Sequence, residues 1–259
     1  MIAQVNTPRQ RQRFLNACRV KLCCGATLPL ALQLLGKAQP GRFFAGPTLA
    51  LDIGGRTAWA AGHANPEELA SFLNFCGCRA VILDEAECPP PVGWRKTCDH
   101  TIFGLAAGEQ LPLPAQTEAQ KALWDSLTFV EDPASGPVAE NLFPDRPARR
   151  DDFYSELCTK RSRGKALVWT LEQGGNIVCT VGAYALCNGQ AYMACGQTAE
   201  ALRGQRVGGR LIVQMANALS AQGDQPVFLC SPERVHFYTQ LGFHPLGTLA
   251  RYESPIGKD

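Results

Sequence analysis

Two short turns constrain this chain most. Gly174-Gly-Asn176 and Cys187-Asn-Gly-Gln190 separate apolar runs at residues 166–171, 177–185 and 191–198. Asn-Gly readily takes the positive φ angles of a two-residue hairpin, so the three runs are predicted as consecutive antiparallel strands. A dinucleotide-binding sheet is disfavoured, because its parallel strands are joined by crossover helices. Directly after the third run stands Arg203-Gly-Gln-Arg-Val-Gly-Gly-Arg-Leu211. It is expected to form a loop opening a helix over residues 204–221, with Val207, Leu211, Met215 and Leu219 facing a core. The N–H groups at such a helix start lack partners and, with the helix dipole, favour an anion such as a pyrophosphate.

The flanking elements follow from local pattern. Upstream, Asp151 and Asp152 are expected to introduce a helix running to about Arg163. Downstream, residues 226–230 read as a strand, 233–241 as a short helix and 246–253 as a last strand. In the first half, residues 48–53 and 57–61 flank Gly54-Gly-Arg56 as a hairpin. Asn65 then caps a helix opened by Pro66, and residues 80–83 form another strand. Seven Pro and Gly residues between 110 and 150, among them Pro112 and Pro114, interrupt regular structure and leave room for one helix at 117–127. The expected organisation is α+β (mixed α/β), with an N-terminal α/β domain over 1–125 and a C-terminal domain over 126–259.

Of the 259 residues 46% are hydrophobic and 19% charged, which suits a packed core and not a disordered chain. The net charge of +2 gives no global field that would recruit nucleic acid or a membrane surface. The longest apolar stretch, residues 28–35, is too short to span a bilayer, and the arginine-bearing N-terminus shows no signal-peptide pattern. Twelve cysteines are present, yet Cys23-Cys24 and the Cys76/Cys78 pair lack metal-site spacing, so no metal is expected. Cys179, Cys195 and Cys230 lie in apolar runs, where cysteine serves as a small hydrophobe. A reducing, cytoplasmic setting is the expectation.

About one helix beyond the Arg203 loop comes Phe237-Tyr-Thr-Gln-Leu-Gly-Phe243. With the predicted element order, the two segments make residues 150–253 resemble the GNAT superfamily of acyl-CoA-dependent N-acyltransferases, in particular its FR47-like and glycine N-acyltransferase-like branch. That family's pyrophosphate loop reads Arg/Gln-x-x-Gly-x-Gly/Ala; here it is Arg203-Gly-Gln-Arg-Val-Gly208, with Arg206 where the family has its middle glycine. The arginine either crowds the loop and changes its backbone angle, or compensates by pairing with phosphate oxygens. The first half is consistent with a degenerate GNAT-like domain. The implied architecture is a mostly antiparallel central sheet flanked by helices.

The resemblance implies transfer of acetyl from acetyl-CoA, or another acyl-CoA, to a primary amine of a small-molecule or amino-acid-like acceptor by direct attack on the thioester. Thr198, Arg203, Gly204, Gln205, Arg206, Val207, Gly208, Gly209 and Ser231 are the implied cofactor-binding residues. Tyr238 is the implied general acid for the departing thiolate; its alternative role is packing between helix and sheet. Ser231 either hydrogen-bonds the cofactor arm or caps the following helix. His236 and His244 flank the tyrosine segment, and the general base is unassigned. A non-catalytic acyl-CoA-binding or regulatory module is the second reading. The partner expected is the amine acceptor, without nucleic acid or membrane, in a monomer or homodimer.

Overall fold

The chain begins with a short strand, β1 (Ala3–Gln4), and two helices, α1 (Pro8–Cys18) and α2 (Cys24–Leu35), in a computed structural model that describes residues 1–255. A capping box between Thr7 and Gln10, with Pro8 at the first helical position, starts α1. Helix α2 shows little periodicity, being apolar nearly all round and buried along most of its length. Among the described residues no helix is long and apolar enough to cross a membrane.

Strands β2 (Phe43–Ala45), β3 (Thr48–Gly54) and β4 (Thr57–His63) follow as an antiparallel meander. Helix α3 (Pro66–Phe75) then crosses to β5 (Ala80–Leu83), which lies parallel to β4, and β6 (Arg95–Gly104) comes next. The chain continues with α4 (Glu118–Asp125), β7 (Thr128–Val130), α5 (Ser135–Leu142) and α6 (Pro147–Arg161). A second meander, β8 (Leu167–Gln173), β9 (Asn176–Cys187) and β10 (Gln190–Thr198), leads into α7 (Val207–Ala221) and then β11 (Gln225–Cys230), parallel to β10. A short α8 (Val235–Gln240) and β12 (His244–Glu253) complete the order.

Two compact units emerge. The first comprises residues 1–103, 229–236 and the segment from Pro245; the second comprises 104–228 and 237–244. In the first unit the strands lie in the order β1, β2, β3, β4, β5, β12, β6, so the last strand of the chain pairs antiparallel with β5. Its core gathers Leu49, Leu51, Leu69, Leu73, Val81, Leu83 and Trp94. In the second unit the order is β7, β8, β9, β10, β11, with α5 and α6 packed on each other and Val138, Leu157, Val168 and Tyr184 clustered in its core. Each unit thus repeats one plan: two helices, three antiparallel strands, a helix, and a strand parallel to the third. The fold is mixed α/β with mostly antiparallel strand pairing, as expected.

Several expectations need correction. Helix α6 begins at Pro147, four residues before Asp151, because proline suits a first helical turn; the two aspartates fall beyond that turn. Between residues 110 and 150 the chain holds β7 and α5 as well as the expected helix. The segment expected as one helix over 233–241 is a 3₁₀ turn, Pro232–Arg234, followed by α8.

Candidate functional site

The second unit's crossover creates the site. Strands β10 and β11 pair through three residues only, from Gln190–Gln225 to Tyr192–Val227. Beyond that point β10 runs on to Thr198 and, among the described residues, pairs only with β9. Its other flank therefore carries main-chain groups available to a ligand. Two register shifts interrupt β10 against β9, at Tyr192/Met193 and at Ala194/Gln197, and Cys195 in the second has φ 53°. Such bulges turn backbone groups away from the regular ladder.

From Thr198 the chain makes a 3₁₀ turn, Glu200–Leu202, and enters the loop. Arg203 is extended, and its Nε donates to the carbonyl of Thr198 at 3.3 Å. Gly204 has φ 77° and Arg206 φ 62°, both left-handed, and for that reason α7 starts at Val207 and not at residue 204 as expected. Arg206 thus keeps the backbone conformation a glycine would adopt, at a steric penalty of about 1–2 kcal/mol. No side chain caps α7 and no acidic residue stands in its first turn, so its first amides and its dipole are left for an anion.

Gly208 and Gly209 serve close approach. A β-carbon on Gly208 would collide with Oγ1 of Thr198, and one on Gly209 would lie 3.0 Å from Cδ2 of Leu241. The start of α7 therefore sits directly against the end of β10. Thr198 Oγ1 also lies 3.4 Å from Sγ of Cys179, whose thiol burial holds above its usual pKa. Val207 turns into the core and Gln205 lies exposed, its amide donating to Leu202 at 3.3 Å.

A cavity of about 820 Å³ opens at this helix start, a size typical of small-molecule sites. Arg203 and Arg206 line it; their guanidiniums donate to backbone carbonyls, and among the described residues neither has a carboxylate partner. Pro112, Leu113, Pro114 and Phe237 supply apolar wall. The proline segment escaped sequence reasoning because it read only as a breaker zone. A usable signal was the polar stripe Arg206, Arg210, Asn217 and Ser220 along one face of α7. Ser220 Oγ lies 2.9 and 2.7 Å from the carbonyls of Ala106 and Glu109. The Asn217 amide bonds both the N–H and the C=O of Leu111, at 2.9 and 2.8 Å. Arg210 Nη1 donates to Oε1 of Gln116 at 2.9 Å, and Arg206 Nη1 to the carbonyl of Ala115 at 2.6 Å. Residues 106–116 are thus strapped along the helix.

Tyr238 is half-buried on α8, its ring 4.5 Å from that of Phe228 and 6.3 Å from that of Phe243. Its neighbours Phe237, Gln240, Leu241 and Gly242 line the cavity; Tyr238 itself does not. Ser231 belongs to the first unit, at the N-cap position of the 3₁₀ turn, and its hydroxyl donates to the carboxylate of Glu233. His236 is exposed, and His244 Nε2 lies 3.8 Å from Oε1 of Glu109. Among the described residues no group of three or more His, Cys, Asp or Glu is placed to hold a metal ion.

The first unit's matching helix differs at this point. Oδ1 of Asn65 accepts from the amides of Glu67 and Glu68 at 2.9 and 3.0 Å, and both glutamates stand in the first turn of α3. Its helix start is already capped and negatively charged.

No protein-family model and no curated protein matches the sequence. Solved structures do share the fold. A GCN5-related N-acetyltransferase from Sphaerobacter thermophilus superposes with a TM-score of 0.65 at 15% identity, over 100% of this chain and 97% of that one. A tandem GNAT protein from the clavulanic acid biosynthesis pathway gives 0.63 at 12% identity, over 100% and 99%. A GCN5-related N-acetyltransferase from Kribbella flavida gives 0.60 at 16%, over 90% and 96%. At these identities the likeness is one of fold.

Proposed function

We propose that the chain is an acyl-CoA-dependent N-acyltransferase of GNAT type, moving acetyl from acetyl-CoA to the primary amine of a small or amino-acid-like acceptor. The observation that carries the reading is the cavity at the uncapped start of α7, beside two arginines that have no carboxylate partner among the described residues and beside the stretch of β10 that, among those residues, pairs on one flank alone. The residues present fit the group: Gly208 leaves room where a side chain would block the loop's approach to β10, and the charge is of the right sign.

In this reading the amides of residues 207–209 and the Arg203 guanidinium hold the pyrophosphate. The free flank of β10 near Thr198 hydrogen-bonds the arm and orients the carbonyl. The acceptor nitrogen attacks that carbonyl to give a tetrahedral oxyanion, which collapses as the C–S bond breaks. The amine gives a proton to solvent, Tyr238 donates one to the departing thiolate, and solvent reprotonates the phenolate.

The position of Tyr238 outside the cavity wall favours a second reading, a module that binds acyl-CoA without turning it over. Release of free CoA from acetyl-CoA across a broad amine panel separates the two. Binding with no release from any amine sinks the catalytic claim. Absence of any rise in Tm with acetyl-CoA sinks both, since a ligand that binds only the native state must raise it.

A further inference from the structure

We propose that the apolar wall of the α7 cavity is a subsite for the flat base of a nucleotide, presented by the 106–116 strap. The proposal rests on the acyl-CoA reading and assigns its nucleotide end. Leu113 and Phe237 are 41% and 42% exposed, two large apolar side chains left in water around one cavity. Leu113 stands between Pro112 and Pro114, whose rings fix φ and whose nitrogens have no N–H to satisfy, so its position is stiff without a secondary-structure ladder. The same cavity also carries the Arg203 guanidinium, whereas that of Arg206 is held on the strap at Ala115. A ligand that satisfies both sides carries phosphate and a planar, stackable ring, which is nucleotide chemistry.

Arg206 connects the two halves of this arrangement. Its left-handed backbone preserves the turn that opens α7, while its guanidinium is drawn to the carbonyl of Ala115 at the end of the proline segment. A glycine at 206 would make the same turn and leave the strap unfastened there. Arg210, one turn on, repeats the fastening at Gln116 and lies 4.9 Å over the ring of Trp124. Arg206 is thus a positioning residue for the base subsite.

The test compares acetyl-CoA with S-acetyl-4′-phosphopantetheine by calorimetry in the native chain and in the Leu113→Ser and Phe237→Ser variants. Because Leu113 is exposed on the strap, its variant keeps the question open to measurement if Phe237→Ser fails to fold. Stacking a base on an aromatic ring is worth about 1–3 kcal/mol, so Phe237→Ser should weaken acetyl-CoA by about 5- to 150-fold. Acetyl-phosphopantetheine should bind both variants as it binds the native chain. Unchanged acetyl-CoA affinity, or equal weakening of both ligands, overturns the subsite and leaves the acyl-CoA reading standing. Binding of adenosine 3′,5′-bisphosphate that depends on Phe237, without binding of either thioester, upholds the subsite and overturns the acyl-CoA reading. No binding of any probe overturns both.

Discussion

The hydroxyl of Thr198 fills the space that a side chain at Gly208 would need. The glycine thus sets how closely the start of α7 approaches β10. Gly208→Ala should lower stability by about 1–3 kcal/mol through overpacking, and weaken acetyl-CoA binding as the loop is pushed outward. Thr198→Ala removes the colliding oxygen, so the double variant should recover much of the lost Tm. Additive losses in a thermal-melt double-mutant cycle would show that the two residues do not compete for one space.

Arg206→Gly sets two effects against each other. Glycine relieves a left-handed strain of about 1–2 kcal/mol, while loss of an exposed charged hydrogen bond gives back about 1 kcal/mol. Tm should therefore hold within a few degrees or rise slightly. Acetyl-CoA affinity should nevertheless fall, with acetyl-phosphopantetheine unaffected, because the strap loses its hold at Ala115. A variant that binds acetyl-CoA more tightly would assign Arg206 to crowding of the loop.

Tyr238→Phe keeps the ring among Phe228, Phe237 and Phe243, so the fold and the Kd for acetyl-CoA should be unchanged. The turnover number should drop by about 100-fold or more, the usual contribution of a positioned proton donor, and the pH–rate profile should lose its high-pH limb. Equal turnover across pH would leave Tyr238 as a packing residue.

Much of the second unit was legible because its signals are local. Asn188-Gly189 and Gly174-Gly175 take positive φ as hairpin turns require, and Val207, Leu211, Met215 and Leu219 are fully buried as their spacing predicts. Less legible was whatever depends on distant partners. The pairing of β12 with β5 joins residues about 170 positions apart, and no local pattern encodes it. Helix α2 hid because an element buried nearly all round has little periodicity. At the site, the loop motif located the uncapped start of α7. The strap was invisible since Pro112 and Pro114 look like interruption until the polar stripe of α7 is set beside them.

Alkaline pH should weaken the first unit. Burial pushes the Cys24 thiol up to about 12 and the Cys88 thiol up to about 11. Both folded values exceed the unfolded one, so the stability they contribute is whole below pH about 9 and shrinks as pH climbs through the folded values. Tm should fall from pH 8 to pH 10.5, and the native thiols should resist a disulfide reagent at pH 8. A Tm that stays level over that interval would contradict the burial argument.

One chain should bind one acyl-CoA, although the helical crossover occurs twice. The start of α7 has no side-chain cap and no acidic first-turn residue, whereas Asn65 occupies two amides of α3 and Glu67 and Glu68 add negative charge. An anion arriving at α3 would have to displace the asparagine and overcome both carboxylates. Calorimetric titration should give a stoichiometry near one. Asn65→Ala should cost about 1 kcal/mol of stability and create no second site, because the glutamates remain. A second acetyl-CoA bound by the native chain would show that capping and charge at α3 do not decide occupancy.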